Sequence, residues 1–133
     1  MEQHTVERKI MWGDLDALGI VFYPRYYEWI DACAHLFFES IGLRLDELWE
    51  KCRIQFGLVE TSSRYHAPGR YHQSIRIVTR IEKLTSKTVA FKHTITRSSD
   101  GVLMLTAHET RICMGVADPK NIHAVDIPED IYT

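Results

Sequence analysis

Asp14 and Asp16 stand with Gly19 in a short loop just ahead of Pro24, and here the sequence comes nearest to a reactive group. Pro24 suits the first turn of a helix, because its fixed φ matches and its missing N–H would have had no partner there. The loop therefore delivers a carboxylate to the positive end of a helix that starts at Tyr23 or Pro24, where unpaired N–H groups and the macrodipole favour negative charge. That is a candidate catalytic anion site. An Asp before a helix also serves as a cap or turn residue without chemistry, and spacing alone leaves both readings open.

Other familiar chemistries have no pattern to rest on. The seven histidines, at 4, 35, 66, 72, 93, 108 and 123, form no H-E-x-x-H and no Cys/His zinc arrangement, so no metal is expected. There is no G-x-S-x-G elbow, no P-loop and no G-x-G-x-x-G. Cys33, Cys52 and Cys113 are odd in number and far apart, which suits reduced, mostly buried thiols rather than a disulfide framework.

The elements around the loop follow from periodicity. Tyr26, Trp29 and Ile30, Cys33, Phe37 and Ile41 recur on one face of a helix, with Arg25, Glu28, Asp31, His35 and Glu39 on the other and Gly42 as its stop. A first strand is expected over residues 5–12, with Val6, Ile10 and Trp12 on its apolar side and Arg8 out of place among them. Leu45, Leu48, Trp49 and Cys52 suggest a shorter second helix or helical turn, and residues 53–65 a long second strand before the break at Pro68 and Gly69. Ile75, Ile77, Thr79 and Ile81 alternate with Arg76, Arg80 and Glu82 in a third strand. In the fourth, Val89, Phe91, His93 and Ile95 share a face; Ser98 to Gly101 is a hairpin signal, and a fifth strand follows over residues 102–114. The tail after Gly115 reads as surface loop.

Strand, long helix, then strands joined by short turns is an α+β architecture, an antiparallel sheet of about five strands around one central helix. Its 133 residues suit a single domain, 1–133. A net charge of -2 supplies no field for nucleic acid or an anionic membrane. The amino terminus lacks the apolar core of a secretory signal and no stretch is long enough to span a bilayer, so a cytoplasmic location is expected.

Residues 16–29, D-x-x-G-I-V-F-Y-P-x-Y-x-x-W, resemble the signature of the 4-hydroxybenzoyl-CoA thioesterase family of hot-dog-fold proteins. The resemblance covers nearly the whole chain, strongest over residues 12–38 and weaker over 56–72, where F-G-L-V and Y-H-A-P-G-R-Y look like the family's second strand and turn. It implies the hot-dog arrangement, with Asp16 as the catalytic carboxylate and the Tyr23 main-chain N–H polarising a thioester carbonyl. That pairing is sound chemistry, since thioester hydrolysis develops negative charge on oxygen and a helix N-terminal N–H is a preorganised donor for it. Asp16 would act as nucleophile or as general base on water. Asp14 is the competing carboxylate, expected instead to hydrogen-bond the turn.

The same resemblance implies an acyl-CoA substrate, no cofactor, and a homodimer or homotetramer whose subunits join sheets and build each active site together. It places Phe56, Gly57 and Leu58 near the pantetheine arm. Lys83, Lys87, Arg70 and Arg76 are candidates for the CoA phosphates, although Thr85 and Ser86 thin the basic cluster that relatives carry at this connection. Asp31, on the polar helix face, reads as a solubilising charge or, in a subunit interface, as a contact to a polar group on the acyl chain. The motif sits closer to the aromatic-acyl branch than to the short-chain branch. Alternatives are an aliphatic acyl-CoA or acyl carrier protein thioesterase, a non-catalytic acyl-CoA-binding module, and, least, a dehydratase, for which His35 lies too far along the helix.

Overall fold

The computed structural model of the protein describes residues 3–129. Strand β1 (Gln3–Lys9) leads through a 3₁₀ turn (Trp12–Asp14) and a loop into α1 (Pro24–Ser40). A one-turn helix α2 (Leu45–Glu47) runs into a π-helical turn (Leu48–Cys52). Then come β2 (Ile54–Tyr65), β3 (Ser74–Leu84), β4 (Thr88–Arg97), β5 (Leu103–Gly115) and the two-residue β6 (His123–Ala124). The strands make one antiparallel sheet in the order β1-β3-β4-β5-β2, with β6 added to β5.

The alternation in β3 and β4 is realised in full. Ile75, Ile77, Thr79 and Ile81 are buried, as are Val89, Phe91, His93 and Ile95, and the register sets Ile77 against Ile95 and Thr79 against His93. Bulges between Leu58 and Glu60, Ile81 and Lys83, and Ile95 and Thr96 bend the strands and help the sheet curl around α1. The helix buries Tyr26, Trp29, Ile30, Cys33, Ala34, Phe37 and Phe38 against it. Phe37 and Phe38 both meet Phe91 edge-on, at 5.2 and 5.4 Å, and each such side chain contributes roughly 1.5–3 kcal/mol by leaving water. Gly42, at φ +89°, turns the chain out of the helix, and Leu43 N–H closes on Phe38 O at 2.8 Å.

A belt of polar side chains divides the apolar interior in two. Thr79, His93, Glu109 and Arg111, all buried, lie between a cluster around Ile30, Ile77 and Ile95 and a second around Phe38, Phe91 and Val89. Thr79 Oγ1 and His93 Nδ1 are 2.8 Å apart. Arg111 Nε donates to Glu109 Oε1 at 2.9 Å, and its Nη2 donates to Asp31 Oδ1 on α1 at 2.7 Å. Burial works to raise the Glu109 carboxyl and is the largest single effect. The His93 ring and the Arg111 guanidinium together outweigh it and hold the group below the ordinary glutamate range.

Three expectations need correction. The first strand ends at Lys9 rather than at residue 12, because the chain turns away through the 3₁₀ turn and leaves Trp12 72% exposed, its ring edge-on to Tyr71. Arg8 belongs on the apolar side after all, since its guanidinium sits 4.5 Å above the Trp29 ring. The tail is more than surface loop: β6 pairs with the end of β5, Asp126 binds Lys87, and Ile127 is buried in the core.

Candidate functional site

The loop before α1 is tied down on every side. Asp16 N–H donates to Ile20 O at 2.9 Å and Gly19 N–H to Asp16 O at 3.0 Å, a tight turn that Gly19 permits by adopting φ +77°. Phe22 N–H donates to Asp14 O at 2.8 Å, and Val21 N–H to Gly69 O at 2.9 Å, so the loop is stitched to the connection between β2 and β3. Gly69 lets the two segments close. A Cβ there would lie 2.8 Å from Ile10 Cδ1 and from the Tyr26 hydroxyl, and 2.9 Å from Val21 Cγ2.

The two carboxylates of the loop differ in what they have left to offer. Asp14 is 8% exposed; its Oδ2 accepts Met11 N–H at 2.9 Å, while Oδ1 lies 4.0 Å from Arg25 Nε. It holds the turn, as expected. Asp16 Oδ1 accepts Leu18 N–H at 2.8 Å, and among the described residues its carboxylate has no other hydrogen bond or ion pair. One Asp16 oxygen is therefore uncommitted.

The helix start is equally incomplete. No side chain caps α1, Pro24 has no N–H, Arg25 N–H returns to Phe22 O at 2.9 Å and Tyr26 N–H to Tyr23 O at 3.1 Å. Tyr23 N–H alone of this first turn has no backbone acceptor among the described residues. Asp16 and Tyr23 line the same cleft, about 510 Å³ in volume, whose far walls are Tyr26, Tyr65 and the segment from His66 to Gly69. That is an ordinary size for a small-molecule site.

Its wall of tyrosines is neutral. Burial pushes the Tyr26 phenol up, against a lowering hydrogen bond from the Gly69 backbone. Tyr65 is raised to about 12, first by burial and then by the neighbouring Tyr27 phenol. The cleft thus offers aromatic surface, phenolic hydroxyls, one carboxylate oxygen and one free N–H. Such a set can attack or hydrate a carbonyl carbon while binding its oxygen.

The other residues singled out by sequence lie elsewhere. Phe56 is 9% exposed and stacks on Phe38 at 4.4 Å, so its ring belongs to the core rather than to this cleft. Gly57 packs where a Cβ would meet the Met114 side chain, and Leu58 is exposed at the bulge of edge strand β2. Lys87 Nζ is held by Asp126 at 2.6 Å, and Arg76 is paired with Glu7 at 2.8 Å. Lys83 and Arg70 are exposed. Asp31 is exposed on α1, but it anchors Arg111 and lies 3.6 Å from His35 Nε2, a structural duty beyond solubility.

Sequence reasoning missed the far wall. Tyr65, His66 and Gly69 fall in the quoted Y-H-A-P-G-R-Y stretch, and only the Pro-Gly break marked it, as a turn. It also missed the inward face of β5, where Leu105, Ala107 and Cys113 flank Glu109 and Arg111; two opposite charges at strand spacing among buried positions were the available signal.

A curled antiparallel sheet around one helix is the hot-dog architecture of thioesterases. Residues 18–104 match the sequence model described as the Thioesterase superfamily, and the chain belongs to that family and is a hydrolase of thioesters. It is 27% identical over 134 residues to the 4-hydroxybenzoyl-CoA thioesterase of Pseudomonas sp. (strain CBS-3), covering 95% of this chain and 92% of that one. The solved structure of the 4-hydroxybenzoyl CoA thioesterase from that strain superposes with a TM-score of 0.90 at 26% identity, over 99% and 98% of the two chains. A gentisyl-coenzyme A thioesterase superposes with a TM-score of 0.85 at 29% identity, over 98% and 100%.

Proposed function

We propose that the protein hydrolyses an acyl-CoA thioester to the free acid and coenzyme A, with Asp16 acting on the thioester carbonyl and Tyr23 N–H binding its oxygen. What carries this reading is one conjunction: the uncommitted Asp16 oxygen and the unpaired Tyr23 N–H open on the same cleft. Attack at the carbonyl carbon moves the C=O electron pair onto oxygen, where the N–H meets the new charge in a largely apolar setting. The C–S bond then breaks and the thiolate leaves, taking a proton from solvent. If Asp16 itself attacks, a mixed anhydride forms and water opens it; if Asp16 draws the proton from water, hydrolysis is a single displacement. Neither route calls on a metal or a cofactor.

An aromatic acyl group is favoured, since Tyr26 and Tyr65 present their rings to the cleft at 5.9 Å from one another and the similar enzymes named above act on aroyl thioesters. The working form proposed is a homodimer or homotetramer in the cytoplasm. β1 and β2 are the sheet edges, and β2 carries exposed Leu58 and Val59 beside a free ladder, as a strand-joined dimer would need. In such a dimer a partner could bring further groups to each cleft, and sedimentation equilibrium reads the subunit number directly.

The test is thiol release from a panel of aromatic and aliphatic acyl-CoA thioesters, with Asp16→Asn as control. Release by the wild type and its collapse in the variant is the expected result; turnover at the wild-type rate by Asp16→Asn removes Asp16 from the mechanism. A single turnover in ¹⁸O-water, followed by mass analysis of the Asp16 peptide, separates attack by the carboxylate from attack by water.

A further inference from the structure

Five inward positions line up across the whole sheet. The register sets His4 of β1 against Thr79 of β3, Thr79 against His93 of β4, His93 against Ala107 of β5, and Ala107 against Ser63 of β2. Among the described residues, three side-chain polar atoms are buried without a hydrogen-bond partner: His4 Nδ1, His93 Nε2 and Ser63 Oγ. All three lie on this row.

Buried polar groups are almost always paired, because an unpaired one bears the full cost of leaving water. Three in one row therefore mark a place where the protein's own groups stop short of one another. The pair that does form is in the middle, where Thr79 Oγ1 and His93 Nδ1 satisfy each other at 2.8 Å. On the far side of the ring, Nε2 lies 3.4 Å from Glu109 Oε1, an electrostatic contact not aligned as a hydrogen bond. Beyond it come the methyl of Ala107 and the short side chain of Ser63. Adjacent strands stand about 4.8 Å apart, so His93 and Ser63 are roughly 10 Å apart at the backbone, with only that methyl between them in the row.

The chemistry of the gap selects its occupant. A metal ion would need a group of His, Cys, Asp or Glu ligands, and among the described residues none is assembled. A dry void is lined by apolar groups, whereas this gap is bordered by a ring nitrogen and a hydroxyl. Water both donates and accepts, so it answers either tautomer of His93 and the hydroxyl of Ser63 alike. With the Glu109 carboxylate beside Nε2, a bridging molecule has the usual three bonds within its surroundings.

We propose that buried water occupies this row, bridging His93 Nε2 to Ser63 Oγ over Ala107, with a second molecule joining His4 Nδ1 to Thr79 Oγ1 at the β1 end. The Thr79 hydroxyl has bonding capacity left after its contact with His93, and the second molecule uses it. A chain of this length holds on the order of five such waters, so two are no excess. The proposal is independent of the hydrolase reading. Its consequence still reaches the cleft: Ser63 and Tyr65 share the inner face of β2, so water pinned to Ser63 steadies the strand end that carries one of the cleft walls.

The test is a pair of substitutions of equal shape. Ala107→Val and Ala107→Thr each place added bulk over the gap and expel the water there. In Ala107→Thr the new hydroxyl takes over a bond to His93 Nε2 or Ser63 Oγ, whereas Ala107→Val strands both. Ala107→Thr is therefore expected to unfold at a higher urea concentration than Ala107→Val, against the ordinary order for a buried apolar position. An equal or reversed order overturns the proposal. A crystal structure of the wild-type protein at atomic resolution decides the matter even if neither variant folds. Water within hydrogen-bond distance of His93 Nε2 and Ser63 Oγ, and of His4 Nδ1, bears it out; no water in either place, or a group from this chain or a second subunit there instead, ends it.

Discussion

Two carboxylates set the contrast within this molecule, Asp16 at the head of α1 and Glu109 beneath its middle. Glu109 is buried, receives Arg111 Nε and Nη2 at 2.9 and 3.4 Å, and has His93 Nε2 within 3.4 Å of Oε1. Its partners surround it. Asp16 is half-buried on a cleft and keeps one oxygen uncommitted, beside an N–H that is equally unmatched. The lesson is that a charge whose neighbours already complete it maintains structure, whereas a charge left incomplete facing a cleft is available to a substrate.

The strongest way to break that contrast is Asp16→Asn, which should lower kcat by on the order of 10²–10⁴ with the melting temperature nearly unchanged. A thiol-release assay beside a thermal melt reads both; loss of stability equal to that of a core substitution would move Asp16 into the structural class. The mirror experiment is Glu109→Gln. It leaves Arg111 short of a buried counter-charge and should cost about 3–5 kcal/mol in urea unfolding, with kcat of the folded protein retained. Replacing Glu109, Arg111 and His93 together by apolar residues of similar size should be far milder, since the desolvation they all bear disappears with them.

Gly69→Ala sharpens the comparison from the cleft side. The added methyl must displace Ile10, Val21 or the Tyr26 hydroxyl, so about 1–3 kcal/mol of stability and most activity should be lost together. Acid acts on the other carboxylate. Because the folded protein holds Glu109 below its ordinary value of 4.5, its contribution is fully present above that pH and is lost as pH falls through the lower folded value. Melting temperature should therefore decline below about pH 4.5, more steeply in the wild type than in Glu109→Gln. The smallest effect belongs to Tyr23→Phe, where only the phenol goes and the main-chain donor stays; kcat should change by less than about threefold.

How far the fold could be read from sequence varied with how local its cause was. Pro24, the apolar face from Tyr26 to Phe37 and the alternation of β3 and β4 are set by neighbours in the chain, and they placed the helix and the central strands. That Asp16 and Tyr23 border one cleft was legible because one short loop holds both. The wall from Tyr65 to Gly69 was not, since its place opposite Asp16 depends on the Val21–Gly69 hydrogen bond between segments far apart in sequence. Phe56 was set near the pantetheine arm by resemblance alone; that its ring packs on Phe38 in the core was not legible, since the bulge beyond Leu58 and that packing decide which way each side chain faces. Lys87 looked free until Asp126 arrived from the tail.

That tail has a practical bearing. Val125 N–H donates to Cys113 O and Ile127 N–H to Ser86 O, so the returning segment ties the last inner strand to the β3–β4 turn while its isoleucine fills the interior near Phe38. Deleting residues 116–129 as dispensable trailing sequence would uncover one end of the barrel-like curl. Loss of solubility in such a deletion would reflect that missing cover, even though the Asp16 cleft lies at the other end of α1.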